Sequence, residues 1–260
     1  MNTSFKDEEE PLAYRIGDQP FLGLKIYLDS KPLIPRPETE WWAEQLLQRE
    51  SADRKVGIRL GLAARSVPTF RSADERSVRL LENPQASLPK AGMPARLAFL
   101  DLCAGSGAIG CAALARLPGA QVYFGEIDPA HEATILKNIR ENGLDESRAH
   151  IHSGDLFEPF GDMQFDIIAA NPPYIPEDRK LPPSVADYEP TLALYAGSDG
   201  LDLIRRIAAA VRRHLTVNGV LWCECDEANI KAARDLFIAQ GLVASILPDQ
   251  YGIPRIIVVE

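Results

Sequence analysis

From Leu97 onward, apolar runs of strand length alternate with segments whose apolar positions recur at helical spacing. The pattern predicts a strand over Leu97–Leu102, a helix to about Leu117, a strand over Gln121–Glu126 and a helix over Pro129–Asn142. Strand-like segments recur near Ala149–His152 and at Gln164–Ala170. After a loop come a helix at about Leu201–Leu215, a strand at Gly219–Cys225, a helix at Glu227–Gln240, and strands near Leu242–Leu247 and Pro254–Val259. Alternation of this kind implies an α/β fold with a mainly parallel sheet and right-handed crossovers. The last two strands are joined by only Pro248-Asp249-Gln250-Tyr251-Gly252, which permits a hairpin and one antiparallel member. Upstream, residues 11–34 alternate in short bursts around Gly17, Gly23 and the turn Asp29-Ser30-Lys31-Pro32, the pattern of a small β-hairpin. The prolines at 35 and 37 are expected to prevent a helix there, with Thr39 capping one over about 40–49. Trp41, Trp42, Leu46 and Leu47 would form its apolar face.

The run Phe165–Ala170 ends in Asn171-Pro172-Pro173-Tyr174. Two prolines fix φ and remove two N–H donors, so the chain must leave the sheet as a stiff, extended tip. Such a tip holds the Asn171 amide, free carbonyls and the Tyr174 ring beyond the carboxyl end of a strand, where ligands of open α/β sheets sit. An Asn beside a carbonyl offers two acceptors to a planar –NH2 group, and a ring can cover that group's face. The tip therefore suits an amino group on a base or a carboxamide. An ordinary proline stop after a strand would look the same.

Gly105-Ser106-Gly107-Ala108-Ile109-Gly110 matches G-x-G-x-x-G between a strand and a helix, the context in which glycines let backbone approach an anionic ligand at a helix N-terminus. Glu126, ending the next strand, is placed to accept hydrogen bonds from ribose hydroxyls. An adenosine-containing cofactor follows, and both a nicotinamide dinucleotide and S-adenosylmethionine fit. The tip favours the second, since a dehydrogenase has no need of a rigid amide grip.

Charge and composition narrow the setting. The net charge of −9 argues against wholesale nucleic-acid binding, and no apolar run approaches the ~18 residues of a membrane span. Residues 1–10 form an acidic tail without the features of a secretory or transit peptide. Four cysteines in 260 residues make no disulfide framework, which points to a reducing, cytoplasmic setting. Cys223-Glu224-Cys225 and His150-Ile151-His152 lack the spaced second pair a zinc site needs, so no metal is expected. Residues 49–96 stand apart, with ten Arg or Lys against five acids. That balance of +5 leaves −14 for the rest. A passive insertion or a basic docking surface would both read this way.

Asp101-Leu102-Cys103-Ala104-Gly105-Ser106-Gly107, Gly154-Asp155-Leu156-Phe157 and the Asn-Pro-Pro-Tyr tip together resemble the class I methyltransferases that modify amino groups. Within them the chain resembles the HemK/PrmC-type release-factor glutamine methyltransferases. Leu33-Ile34-Pro35-Arg36-Pro37-Glu38-Thr39-Glu40 is the most family-specific match; Tyr188-Glu189-Pro190 and Asp199-Gly200-Leu201-Asp202 are others. The resemblance implies a Rossmann-like catalytic domain over 97–260, with a seven-stranded, mainly parallel sheet, one antiparallel C-terminal strand and a preceding hairpin (11–48).

It also implies methyl transfer from S-adenosylmethionine to the side-chain amide nitrogen of glutamine in the Gly-Gly-Gln loop of a class I peptide chain release factor. Asn171 and the Pro172 carbonyl would accept the two amide N–H bonds, with Pro173 stiffening the tip and Tyr174 packing on the amide plane. Asp155 and Leu156 would meet adenine, Glu126 the ribose, and Cys103, Ala104, Gly105, Ser106 and Gly107 the methionine moiety; Asn171 would also border the cofactor. Cys103 stands where the loop signature has its first glycine. The family's helical amino-terminal domain has no counterpart in the few residues before the hairpin, so either the sequence is truncated or docking relies on other surfaces. A monomer without membrane or stable nucleic-acid partners is expected. Alternatives are an adenine or cytosine amino-group methyltransferase, whose tip would grip a flipped base, and a non-catalytic module binding the cofactor or a release factor.

Overall fold

The computed structural model describes residues 10–56 and 97–260. Of the basic stretch, 49–56 continue a helix, and the remainder lies outside the described residues. The amino-terminal part comprises a short helix α1 (Leu12–Ile16), an antiparallel hairpin of β1 (Asp18–Phe21) and β2 (Leu24–Tyr27), and a long helix α2 (Pro37–Val56). Helix α2 begins earlier than the prolines suggest. The Glu40 amide donates to the Arg36 carbonyl at 3.0 Å, which makes Pro37 the first helical residue. Proline is tolerated there because the N–H it lacks would have no intrahelical partner. Thr39 therefore lies inside the first turn and caps nothing; its hydroxyl is used elsewhere. Trp42, Leu46 and Leu47 are buried as the apolar face, while Trp41 is half-buried.

The second part holds β3 (Ala98–Leu102), α3 (Ala108–Arg116), β4 (Gln121–Glu126), α4 (Glu132–Glu141), β5 (Ala149–Ser153) and β6 (Phe165–Ala170). Then follow α5 (Asp202–His214), β7 (Leu215–Glu224), α6 (Ile230–Ala239), β8 (Ala244–Pro248) and β9 (Pro254–Val259). The seven strands lie in the order β5-β4-β3-β6-β7-β9-β8. Every pairing is parallel except those of β9, which runs antiparallel to both β7 and β8. The single antiparallel strand agrees with the short final link; its insertion between β7 and β8 is not specified by that link alone. Strand β7 starts four residues before its predicted start because α5 passes straight into it, with Leu215 already extended.

The sheet is covered on both faces, with Phe99, Phe124, Ile167 and Trp222 in one core and Leu100, Leu102, Ile168 and Leu221 in the other. This accounts for the continuous rather than alternating apolar runs of β3 and β6. The hairpin is fastened to α4 by side-chain amides. Asn138 accepts from the Tyr27 amide at 2.7 Å and donates to the Tyr27 and Ser106 carbonyls, while Asn142 makes the equivalent pair with Lys25. Among the described residues, no helix is long and apolar enough to cross a membrane.

Candidate active site

Strand register decides which loops meet. Leu102 of β3 lies beside Gly125 of β4 and Ala170 of β6, and Ala170 lies beside Cys223 of β7. The next residues along, Cys103, Glu126, Asn171 and Glu224, thus emerge together at the carboxyl edge. Between β3 and β6 the strand order reverses, and in open α/β sheets the ligand crevice forms at such a switch point. A cleft with about 840 Å³ of free space opens there. Of the predicted residues, Cys103, Gly105, Glu126, Asp155, Leu156, Asn171 and Pro173 line it.

The glycine loop is built by backbone. Cys103 has φ +62°, so it keeps the left-handed backbone suited to the glycine it replaces and bears the strain of a Cβ there. The Ala104 amide donates to the Gly125 carbonyl at 3.1 Å, and the Gly107 amide to the Ala104 carbonyl at 2.7 Å. Gly107 has φ +75°, and a Cβ on Gly110 would lie 2.2 Å from the Phe124 ring, so glycine at 110 permits the helix to pack on the sheet. Ala104, Ser106 and Gly107 support the loop from behind and do not border the cleft. Glu126 closes the loop, Oε2 accepting from the Gly105 amide at 2.7 Å and Oε1 from the Asp128 amide at 2.9 Å. Each oxygen retains a lone pair for a further donor. Beneath the loop, Asp101 accepts from the Gly110 amide at 2.8 Å through Oδ2, while its Oδ1 is buried with no hydrogen-bond partner among the described residues. Burial, with the nearby charge of Glu126 adding, pushes the Asp101 carboxyl up to about 8.

Asp155 and Leu156 border the other side. Asp155 Oδ2 is paired with Arg206 at 2.7 Å. Facing the glycine loop, Leu33, Pro190, Leu192, Ala193 and Tyr195 complete an apolar wall. That wall is held by an ion pair: Glu189 accepts from Arg36 at 2.5 Å and from the Ile34 amide at 3.2 Å.

The tip divides its four residues between two directions. Asn171 and Pro173 face the cleft, whereas Pro172 is buried and Tyr174 does not border the cleft. The Tyr174 hydroxyl donates to Glu224 Oε1 at 2.8 Å, and burial and that carboxylate push its pKa far up. The motifs contain Thr39, Leu33 and Pro190 without giving them a role in the site, and they do not point to Glu224 or Leu192. A signal for Glu224 exists, since an acid ends a buried strand, but the cysteines on either side suggest a different chemistry. Those cysteines face one core while Glu224 faces the other, as strand alternation requires. His150 and His152 stack on Tyr123 and serve packing.

The cleft's donor set fits an adenosyl sulfonium. Glu126 offers acceptors to a diol, Glu126, Asp128 and Asp155 supply negative charge for a cationic centre, and Ile127, Leu156 and Leu203 offer apolar surface to a base.

A family model for the methyltransferase small domain matches residues 73–186. Release factor glutamine methyltransferases of Thermodesulfovibrio yellowstonii and Geobacter sulfurreducens are each 32% identical to this chain. The matches span 97% and 96% of this chain, and 77% and 73% of theirs. A ribosomal protein uL3 glutamine methyltransferase of Bradyrhizobium diazoefficiens is 33% identical over 83% of this chain and 57% of its own length. Among solved structures, the hMettl16 catalytic domain in complex with MAT2A 3'UTR hairpin 6 has a TM-score of 0.54 at 15% identity. It covers 92% of this chain and 76% of that one, a likeness of fold.

Proposed function

Because the chain belongs to the family of release factor glutamine methyltransferases, we propose that it methylates the side-chain amide nitrogen of the glutamine in the Gly-Gly-Gln loop of a class I release factor, with S-adenosylmethionine as donor. The observation that carries this reading is that Asn171 and the acceptor carboxylate Glu126 line the same cleft. An amide grip beside a ribose acceptor is what transfer between an adenosyl donor and a carboxamide requires.

When bound, S-adenosylmethionine would supply an electrophilic methyl on a cationic sulfur. Glu126 would hold its ribose, Cys103 and Gly105 its methionine part, and Leu156 with Asp155 its adenine. The protein's own task is to present a poor nucleophile, since the lone pair of a carboxamide nitrogen is delocalised. Asn171 Oδ1, which faces the cleft, would accept one N–H bond of the substrate, and the backbone carbonyl of Pro172, whose ring is buried, would accept the other, aiming the nitrogen into the cleft. The prolines keep both acceptors from relaxing, and Tyr174, anchored through its hydroxyl, buttresses the tip. Rate enhancement then comes from positioning and from fixed dipoles, with no strong general base until the product sheds a proton.

The relative acting on uL3 gives a second reading of the same chemistry. Incubation with labelled S-adenosylmethionine and either a class I release factor or ribosomal protein uL3, followed by mass spectrometry, separates the two. One methyl on the Gly-Gly-Gln glutamine is expected. Methylation confined to uL3 would replace the substrate, and none on either protein would overturn the activity.

A further inference from the structure

At the end of β7 a fully buried carboxylate, Glu224, receives three side-chain donors. Thr39 Oγ1 donates to Oε2 at 2.6 Å, Trp42 Nε1 to Oε2 at 2.7 Å, and the Tyr174 hydroxyl to Oε1 at 2.8 Å. Trp42 and Trp222 stack beside it with centroids 6.4 Å apart. From Thr39 the hydrogen-bond chain continues outward, because Asn171 Nδ2 donates to Thr39 Oγ1 at 3.2 Å.

Direction is the informative property of this chain. An asparagine amide has two ends of nearly equal shape, one a donor and the other an acceptor, and a flip exchanges them. An acceptor must face the cleft if a substrate N–H is to be held there; a flipped amide would present N–H to N–H. The indole N–H of Trp42 can only donate, so Glu224 Oε2 accepts. Burial pushes the Glu224 carboxyl up and the three donors oppose that push; with both Trp42 and Thr39 directed at Oε2, that oxygen is the acceptor and the single hydroxyl proton of Thr39 is committed to it. Thr39 Oγ1 is left to accept, which draws the –NH2 end of Asn171 toward it and turns Oδ1 away. The same carboxylate takes the Tyr174 proton, so one buried charge reaches the residues on both sides of the two prolines.

We propose that Glu224 and Thr39 are positioning residues that set the orientation of the Asn171 amide, acceptor outward, and so its competence to hold the substrate. This rests on the reading of Asn171 as the grip on the glutamine amide. Neither residue touches the reacting atoms; both act through Asn171 and Tyr174.

Thr39→Val keeps the shape and removes the hydroxyl, while Thr39→Ser keeps the hydroxyl. With a Gly-Gly-Gln peptide, single-turnover rates for Thr39→Val should fall about 10- to 100-fold, the size of effect expected from lost orientation. Calorimetric Kd for S-adenosylmethionine should stay within about twofold, since the Thr39 hydroxyl acts on the amide grip and not on the cofactor. Thr39→Ser should recover most of the rate. Glu224→Gln, which brings an –NH2 among three donors, should lower turnover in the same way and is read at a temperature where the variant stays folded by circular dichroism. Wild-type turnover in Thr39→Val, or equal losses in the Val and Ser variants, would overturn the proposal. Asn171→Ala separates this failure from that of the underlying reading. An inactive Asn171→Ala beside a fully active Thr39→Val would discard only the relay. A fully active Asn171→Ala would discard both.

Discussion

The two halves of the cleft are made differently. The half around the glycine loop is local in sequence and rests on backbone amides: the Gly110 amide donates to the Asp101 carboxylate nine residues away, and the Gly105 amide to the Glu126 carboxylate twenty-one residues away. The half around Asn171 is a side-chain construction of distant sequence. Thr39 meets Asn171 across 132 positions and Glu224 across 185. A backbone site is stiff because its atoms belong to the sheet and helix themselves, and it fails when a side chain is added. A side-chain site is stiff only while its partners are in place, and it fails when a functional group is removed. On the proposed function, the contrast separates holding a cofactor from aiming a nucleophile.

Asn171→Ala should break the contrast most sharply. Turnover should drop ~10²-fold or more while S-adenosylmethionine affinity barely changes, because the Asn171 amide chiefly orients the nucleophile. Stopped single-turnover assays with parallel calorimetry check both halves of that statement. On the backbone side, Gly110→Ala should behave oppositely. It forces the buried Phe124 ring to move and should cost ~1–3 kcal/mol of stability by overpacking, measured by denaturant unfolding. Glu126→Ala should weaken cofactor binding by ~1–3 kcal/mol, since charge-assisted acceptors disappear and the Gly105 and Asp128 amides are released. Unchanged cofactor affinity in a calorimetric titration would remove Glu126 from the site.

A further effect concerns pH. Asp101 is pushed from an ordinary carboxyl value of 3.8 to about 8 in the folded protein. Folding therefore takes up a proton in that window, and the stability this group contributes is full below pH 3.8 and is lost as pH rises toward about 8. Asp101→Asn should flatten that part of the stability curve, which thermal melts at several pH values would show. An identical slope in the variant would assign the titration to another group.

The same contrast explains what is legible in the sequence. The alternation of apolar runs yields all seven strands; inner strands such as β3 and β6 announce themselves in continuous apolar runs, while the half-exposed edge strands β5 and β8 carry a weaker signal. The glycine loop and Glu126 are legible because a strand, a tight turn and a helix N-terminus are contiguous in the chain. Helix α2 is misplaced at its start, where proline has opposite meanings inside a helix and at its first position. Glu224 is hidden for a different reason. Its role depends on which residues face it from Thr39 and Trp42, and no local pattern encodes a contact across 185 positions. The position of β9 is equally hidden, since a short link states that two strands pair and not on which side a third lies.

That position of β9 has a bearing on how the molecule is made. A ribosome delivers β7, β8 and β9 in that order, yet in space β9 separates the other two. Until residues 254–259 exist, β7 keeps a bare edge on the side where Leu221 to Glu224 will pair with Ile256 to Val259. Strand β8 meanwhile has no neighbour at all, because its pairing in the sheet is with β9. The edge exposed during synthesis belongs to the strand that carries Glu224, and bare strand edges recruit other chains. The nascent protein is thus at greatest risk of misassociation just before the segment that closes its sheet emerges, and the strand that carries Glu224 gains its second neighbour only then.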